Sequence, residues 1–122
     1  MKRLVLSIIL LSSIYAQADW INIATLKDNK FYIDNSLPTN MGNYKYRVWM
    51  SNTYDKPGLD QVKSWFFLLE ISCKDKGIRV IQDMSTDKNN NHLSMKIFDN
   101  ESVSYAPPGS PLSIAVTKVC GN

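Results

Sequence analysis

Ser64-Trp65-Phe66-Phe67-Leu68-Leu69-Glu70-Ile71-Ser72-Cys73 is the stretch whose reading decides the fold. In an extended chain, Trp65, Phe67, Leu69, Ile71 and Cys73 fall on one side, because successive side chains alternate. Phe66 and Leu68 load the other side, relieved only by Glu70 and Ser72. Enrichment in Phe and Trp, with turn residues on both flanks, favours a strand over a buried helix. A strand that is apolar on both sides is expected to be covered on both. It ends in one of two cysteines, and the other, Cys120, closes the last amphipathic segment.

That last segment reads as a helix. Ser110-Pro111 supplies a hydroxyl N-cap followed by Pro at the first helical position. Leu112, Ala115, Val116, Val119 and Cys120 recur at helical spacing and form one apolar stripe. Lys118 sits in the last turn, where positive charge suits the helix dipole, and Gly121 is placed to cap the end. So short a helix is marginal alone. Packing on the sheet and a bond from Cys120 to Cys73 would hold it. Ala106-Pro107-Pro108-Gly109 before it reads as a stiff connector.

Towards the N-terminus the pattern is strand and turn. Ile21 and Ile23 share one side of a strand, with Trp20, Asn22 and Ala24 on the other. Lys27-Asp28-Asn29-Lys30 is turn chemistry, and Phe31-Tyr32-Ile33-Asp34 completes a hairpin. Asn35-Ser36-Leu37-Pro38 breaks it, and Met41-Gly42-Asn43 is expected to open the next strand. There Tyr44, Tyr46, Val48 and Met50 alternate with Lys45, Arg47, Trp49 and Ser51. After the central run, Ile78, Val80 and Met84 are expected to oppose Arg79 and Asp83. Asp87-Lys88-Asn89-Asn90-Asn91 makes a polar hairpin tip. Leu93, Met95 and Ile97 are expected to face inward on the last strand.

The first eighteen residues read as a secretory signal. Lys2 and Arg3 precede an apolar run from Leu4 to Ile14, and Ala16-Gln17-Ala18 suits signal peptidase. The run is too short for a membrane anchor, which needs about 20 apolar residues. No cysteine lies near the expected cleavage point, so no lipoprotein anchor is indicated. One domain, residues 19–122, remains for the periplasm, the cell surface or the medium. The formal charge of +3 includes Lys2 and Arg3. Without them the exported chain is close to neutral and has no basic cluster for nucleic acid or anionic lipid. In an oxidising compartment, Cys73 and Cys120 are expected to pair. Closing that loop is worth roughly 4 kcal/mol in the chain-entropy model. Free thiols or a metal pair are the competing arrangement, opposed by a single His and no CxxC.

No constellation for catalysis, cofactor or metal stands out. His92, the one histidine, follows an Asn-rich tip and reads as an exposed hairpin residue. Asp55, Asp60, Asp83, Asp87 and Asp99 are scattered over turns and strand ends, without a spacing that imposes opposed environments. The aromatic surplus is more informative. Tyr32, Tyr44, Tyr46, Trp49, Trp65, Phe66 and Phe67 can serve as cross-strand packing or as a binding surface. A homodimer would cover the second side of the central strand most simply.

With these features the chain resembles the bacterial surface-adhesin protein E family. The resemblance rests on Asp19-Trp20 directly after the signal, Phe31-Tyr32-Ile33-Asp34, Arg47-Val48-Trp49, the run ending in Cys73, and Arg79. It is closest at Pro107-Pro108-Gly109-Ser110-Pro111 and the closing Val119-Cys120. It implies an α+β fold: a twisted antiparallel sheet of about six strands, with the C-terminal helix on its concave side stapled by the disulfide. It also implies a non-enzymatic exported protein, sometimes dimeric, that binds host matrix or serum proteins. The alternative is a periplasmic inhibitor or binding module acting on another bacterial protein. Such a module would insert Asp55-Lys56-Pro57-Gly58 or the Asn89-Asn90-Asn91 tip into a cleft. No ligand-binding residue is assigned by the resemblance.

Overall fold

A computed structural model describes residues 19–99 and 102–121. The expected signal and its cleavage point after Ala18 lie outside the described residues. Among the described residues, seven strands precede one helix: β1 (Trp20–Thr25), β2 (Asn29–Asp34), β3 (Thr39–Gly42), β4 (Lys45–Tyr54), β5 (Ser64–Ser72), β6 (Gly77–Thr86), β7 (His92–Ile97) and α1 (Pro111–Cys120). They form one antiparallel sheet in the order β1-β2-β4-β5-β6-β7. The outer edge of β4 is shared: β2 takes Met50 to Tyr54, and β3 takes Lys45 to Arg47.

Register turns the alternation of β5 into rows that cross the sheet. Leu69 pairs with Val48 on one side and Val80 on the other, and Ile71 pairs with Tyr46 and Ile78. With Ile33 and Met50 these rows make the core under α1. The helix supplies Ala115 and Val116, both buried, and Leu112, Val119 and Cys120 at the margin. Its N-cap is built as the sequence indicates: Ser110 is extended, and its Oγ accepts the Ser113 N–H at 3.2 Å. Gly121 closes the other end at φ 77°, donating its N–H to Thr117 O. Cys73, just past β5, is bonded to Cys120 with 5.4 Å between Cα atoms.

Three expectations need correction. First, β3 is an additional strand, so Met41 and Gly42 close one strand instead of opening the next. Asn43 and Tyr44 form the turn, both with positive φ (55° and 62°). That pair of left-handed residues matches the twist of a hairpin, and it takes Tyr44 out of the β4 alternation. Second, a bulge opposite Leu68/Leu69 interrupts β6. An extra residue there reverses the parity. Met84 therefore shares its face with Arg79, while Asp83 lies on the helix side with Ile78 and Val80. Third, β7 is exposed at all six positions. Met95 pairs with Met84 and Ile97 with Gln82, on the face away from α1. Alternation marked the two sides of β7 but could not show that nothing covers either.

Candidate functional site on the open face of the sheet

The face turned away from α1 carries a group of partly exposed aromatic side chains. Along β4 it presents Arg47, Trp49, Ser51 and Thr53; along β5, Glu70, Leu68, Phe66 and Ser64. Beyond the bulge, β6 adds Gln82, Met84 and Thr86 to Arg79. Trp20 lies opposite Asp34 on the β1–β2 side. Trp20 and Phe66 meet with ring centroids 5.8 Å apart and planes tilted by 56°. Trp20, Trp49, Phe66, Leu68 and Met84 are each half-buried, in contrast to the buried core of the helix side. Together they form an apolar platform.

Two hollows meet on this platform. One, of about 440 Å³, runs between the β2–β3 loop and the sheet, with Leu68 and Trp49 lining it, Arg47 at one end, and Leu37 and Met41 on its rim. The other, of about 360 Å³, is lined by Trp20, Phe66, Met84, Thr86 and His92. Asp34 and Trp49 border both. Thr86 is buried beneath the second hollow, and its Oγ1 has no hydrogen-bond partner among the described residues. A buried polar atom left unpaired is costly. A ligand group that reached Thr86 would remove that cost.

At the other end of the face, two arginines converge on one carboxylate. Arg47 Nε donates to Glu70 Oε2 at 3.1 Å, and Arg79 Nη2 donates to Glu70 Oε1 at 2.9 Å. The three residues sit side by side on β4, β5 and β6. Glu70 is buried, while each arginine side chain remains about one-third exposed (33% and 32%). Burial pushes the Glu70 carboxyl up, but the hydrogen bonds and charges of Arg47 and Arg79 outweigh it and hold the group below its ordinary value. Lys45 and Asp75 border the same end. Asp75 is exposed in the β5–β6 turn, where its Oδ1 accepts the Gly77 N–H at 3.0 Å.

The aromatics singled out in the sequence divide between the faces. Trp49 and Phe66 lie on the platform, and register places Tyr32 on the same side, opposite Ser51. Phe67 packs on the core and stacks with Trp65 at 6.3 Å on the helix side. Tyr44 occupies the β3–β4 turn. Trp20, read only as a strand residue, is a missed member, because its partner Phe66 lies three strands along the sheet order. His92 is exposed at the start of β7, beside the second hollow. Asp55 and Asp60 lie on an exposed loop. Asp87 organises the β6–β7 tip by accepting the N–H groups of Asn89 and Asn91. No group of three His, Cys, Asp or Glu side chains among the described residues is placed to hold a metal ion. No helix among them is long and apolar enough to cross a membrane.

Comparison of the chain with protein-family models, curated proteins and solved structures finds no match.

Proposed function

We propose that this chain is an exported, non-enzymatic, adhesin-like domain that binds a host matrix or serum protein through the open face of its sheet. The observation that carries this reading is the platform of Trp20, Trp49, Phe66, Leu68 and Met84, each only partly buried and bordering two open hollows. Aromatic residues in shallow, partly desolvated hollows are the usual anchors of protein interfaces. Binding of the oxidised exported chain to purified matrix and serum proteins, immobilised one by one, tests the reading. Trp49→Ala is expected to weaken the responding pair at least tenfold while the variant stays folded. Retained binding would remove the open face from the function.

A second reading, a periplasmic inhibitor or binding module, is favoured by a different feature. Between β4 and β5, Leu59 is fully exposed at the tip of a braced loop. Lys63 Nζ donates to the carbonyls of Tyr54 and Asp55 at 2.6 and 2.8 Å, and Gly58 N–H reaches Val62 O. A rigid loop presenting one apolar side chain suits insertion into a cleft. Leu59→Asp would abolish binding on this reading and leave it unchanged on the first. A homodimer through the open face is the remaining competitor. Light scattering on wild type and Trp49→Ala separates it, since only a dimer through that face would dissociate in the variant.

A further inference from the structure

The open face is chemically lopsided. Around Glu70 stand Lys45, Arg47 and Arg79, against Glu70 itself and Asp75. Three cations thus face two carboxylates. Both carboxylates are already engaged: Glu70 by the two guanidiniums, Asp75 by the Gly77 N–H. Each arginine spends only one nitrogen on Glu70. The rest of each guanidinium has no partner among the described residues and stays one-third exposed. Glu70 therefore positions two forks whose remaining donors are left for something else. One row along the strands the character changes abruptly to Trp49 and Leu68, and Arg47 lines the same hollow as both. Asp34, across Trp49, is the one carboxylate lining the two hollows among the described residues, and its Oδ1 accepts the Ser36 N–H at 3.0 Å.

We propose that the partner segment is acidic as well as apolar. Resting on the open-face reading above, the inference is that an Asp or Glu side chain of the partner accepts from the outward-facing guanidinium nitrogens that Arg47 and Arg79 do not spend on Glu70, while the neighbouring apolar side chain lies on Trp49 and Leu68. The net positive charge at one end selects against basic segments, because a like charge there meets two guanidiniums held in place by Glu70. The apolar hollow supplies contact area, and the arginine end fixes which way the segment lies. The basic end also extends beyond the platform through Lys45, so additional acidic residues upstream or downstream of the anchor strengthen attraction and speed encounter.

The test uses the oxidised exported chain and three matched series of immobilised eight-residue peptides. All carry the same pairs of Phe, Leu or Met, flanked by Glu in one series, by Gln in the second and by Lys in the third. The Glu series is expected to bind about tenfold tighter than the Gln series, the value of one charge-assisted contact. The Lys series is expected to be weaker still. The preference should vanish in about 1 M salt, where the screening length is about 3 Å. Arg47→Gln is expected to remove the Glu preference, bringing the Glu and Gln series to the same affinity. Because Arg47→Gln could unsettle Glu70, a triple variant (Arg47→Gln, Glu70→Gln, Arg79→Gln) leaves no charge to orphan and should also lose the preference. If all series bind equally and Trp49→Ala weakens all of them, the open face is a binding surface but the acidic specificity is wrong. If no series binds, the open-face reading itself fails, and this inference with it.

Discussion

Glu70 shows how much one residue can organise. Its carboxylate is buried and holds two arginines from neighbouring strands, one oxygen each. Its folded-state pKa lies below the ordinary value of 4.5. A depressed carboxyl stabilises the fold above its unfolded pKa and loses that contribution as pH falls through the folded one. The native chain should therefore weaken below about pH 4.5, in part through this residue. Glu70→Gln is expected to cost about 1–2 kcal/mol near neutral pH, the scale of charged hydrogen bonds, and to flatten the acid limb. Denaturant unfolding at several pH values measures both. An unchanged acid limb would assign the pH dependence to other carboxylates. In the sequence, Glu70 only interrupts an apolar run. Its role needs the register that brings Arg47, 23 residues before it, and Arg79, 9 residues after it, to its two sides. Alternation within a strand does not encode that register. The platform was half legible for the same reason: Phe66 and Leu68 announce a second apolar side, but the bulge that adds Met84 to it leaves no mark in the pattern.

At the scale of elements, the most legible were those with their own punctuation. The helix α1 has an N-cap, Pro at its start, a basic last turn and a capping Gly, and each lies where the sequence places it. The central strand carries its apolar length openly. β3 was missed because its hairpin turns through Asn43-Tyr44, without the Asn-Gly pair that usually announces such a turn. β7 shows the reverse error, a clean alternation on a strand that nothing covers. Its free edge and the exposed Met95 and Ile97 make it the place where unwanted strand pairing would begin. The joint between elements is the Cys73–Cys120 bond across 47 positions of chain. A ten-residue helix does not persist unaided. Cys120→Ala is accordingly expected to lower stability by up to about 4 kcal/mol under oxidising conditions. Guanidinium melts of the two proteins measure this. A loss near zero would mean that the apolar stripe of α1 docks without help from the bond.

For the whole molecule the question is what each face of the sheet is for. Beneath α1 the helix side is closed: Ile33, Val48, Met50, Leu69 and Ile71 are buried with Ala115 and Val116. The open side sets Trp20, Trp49, Phe66, Leu68 and Met84, all only partly buried, among Ser, Thr, Gln, Glu and Arg side chains, and its arginines remain partly exposed. Such a division is costly for a small domain, which has little burial to spare. It is reasonable where one face maintains the fold and the other meets a partner. Leu68 and Leu69 put the division to a direct test, because they are the same residue type, adjacent in β5, and on opposite faces. Leu69, 1% exposed, should cost about 3 kcal/mol when cut to Ala. Leu68, half-buried, should cost about 1 kcal/mol or less, since part of its surface already meets water. Binding should follow the opposite order. Leu68→Ala is expected to lose partner affinity, whereas Leu69→Ala should retain it once the unfolded fraction is subtracted. Parallel denaturant and binding titrations on the two variants decide the matter. Equal stability losses with unchanged binding in both would make the open face a second wall of the core, and the search for the partner surface would move to the braced loop around Leu59.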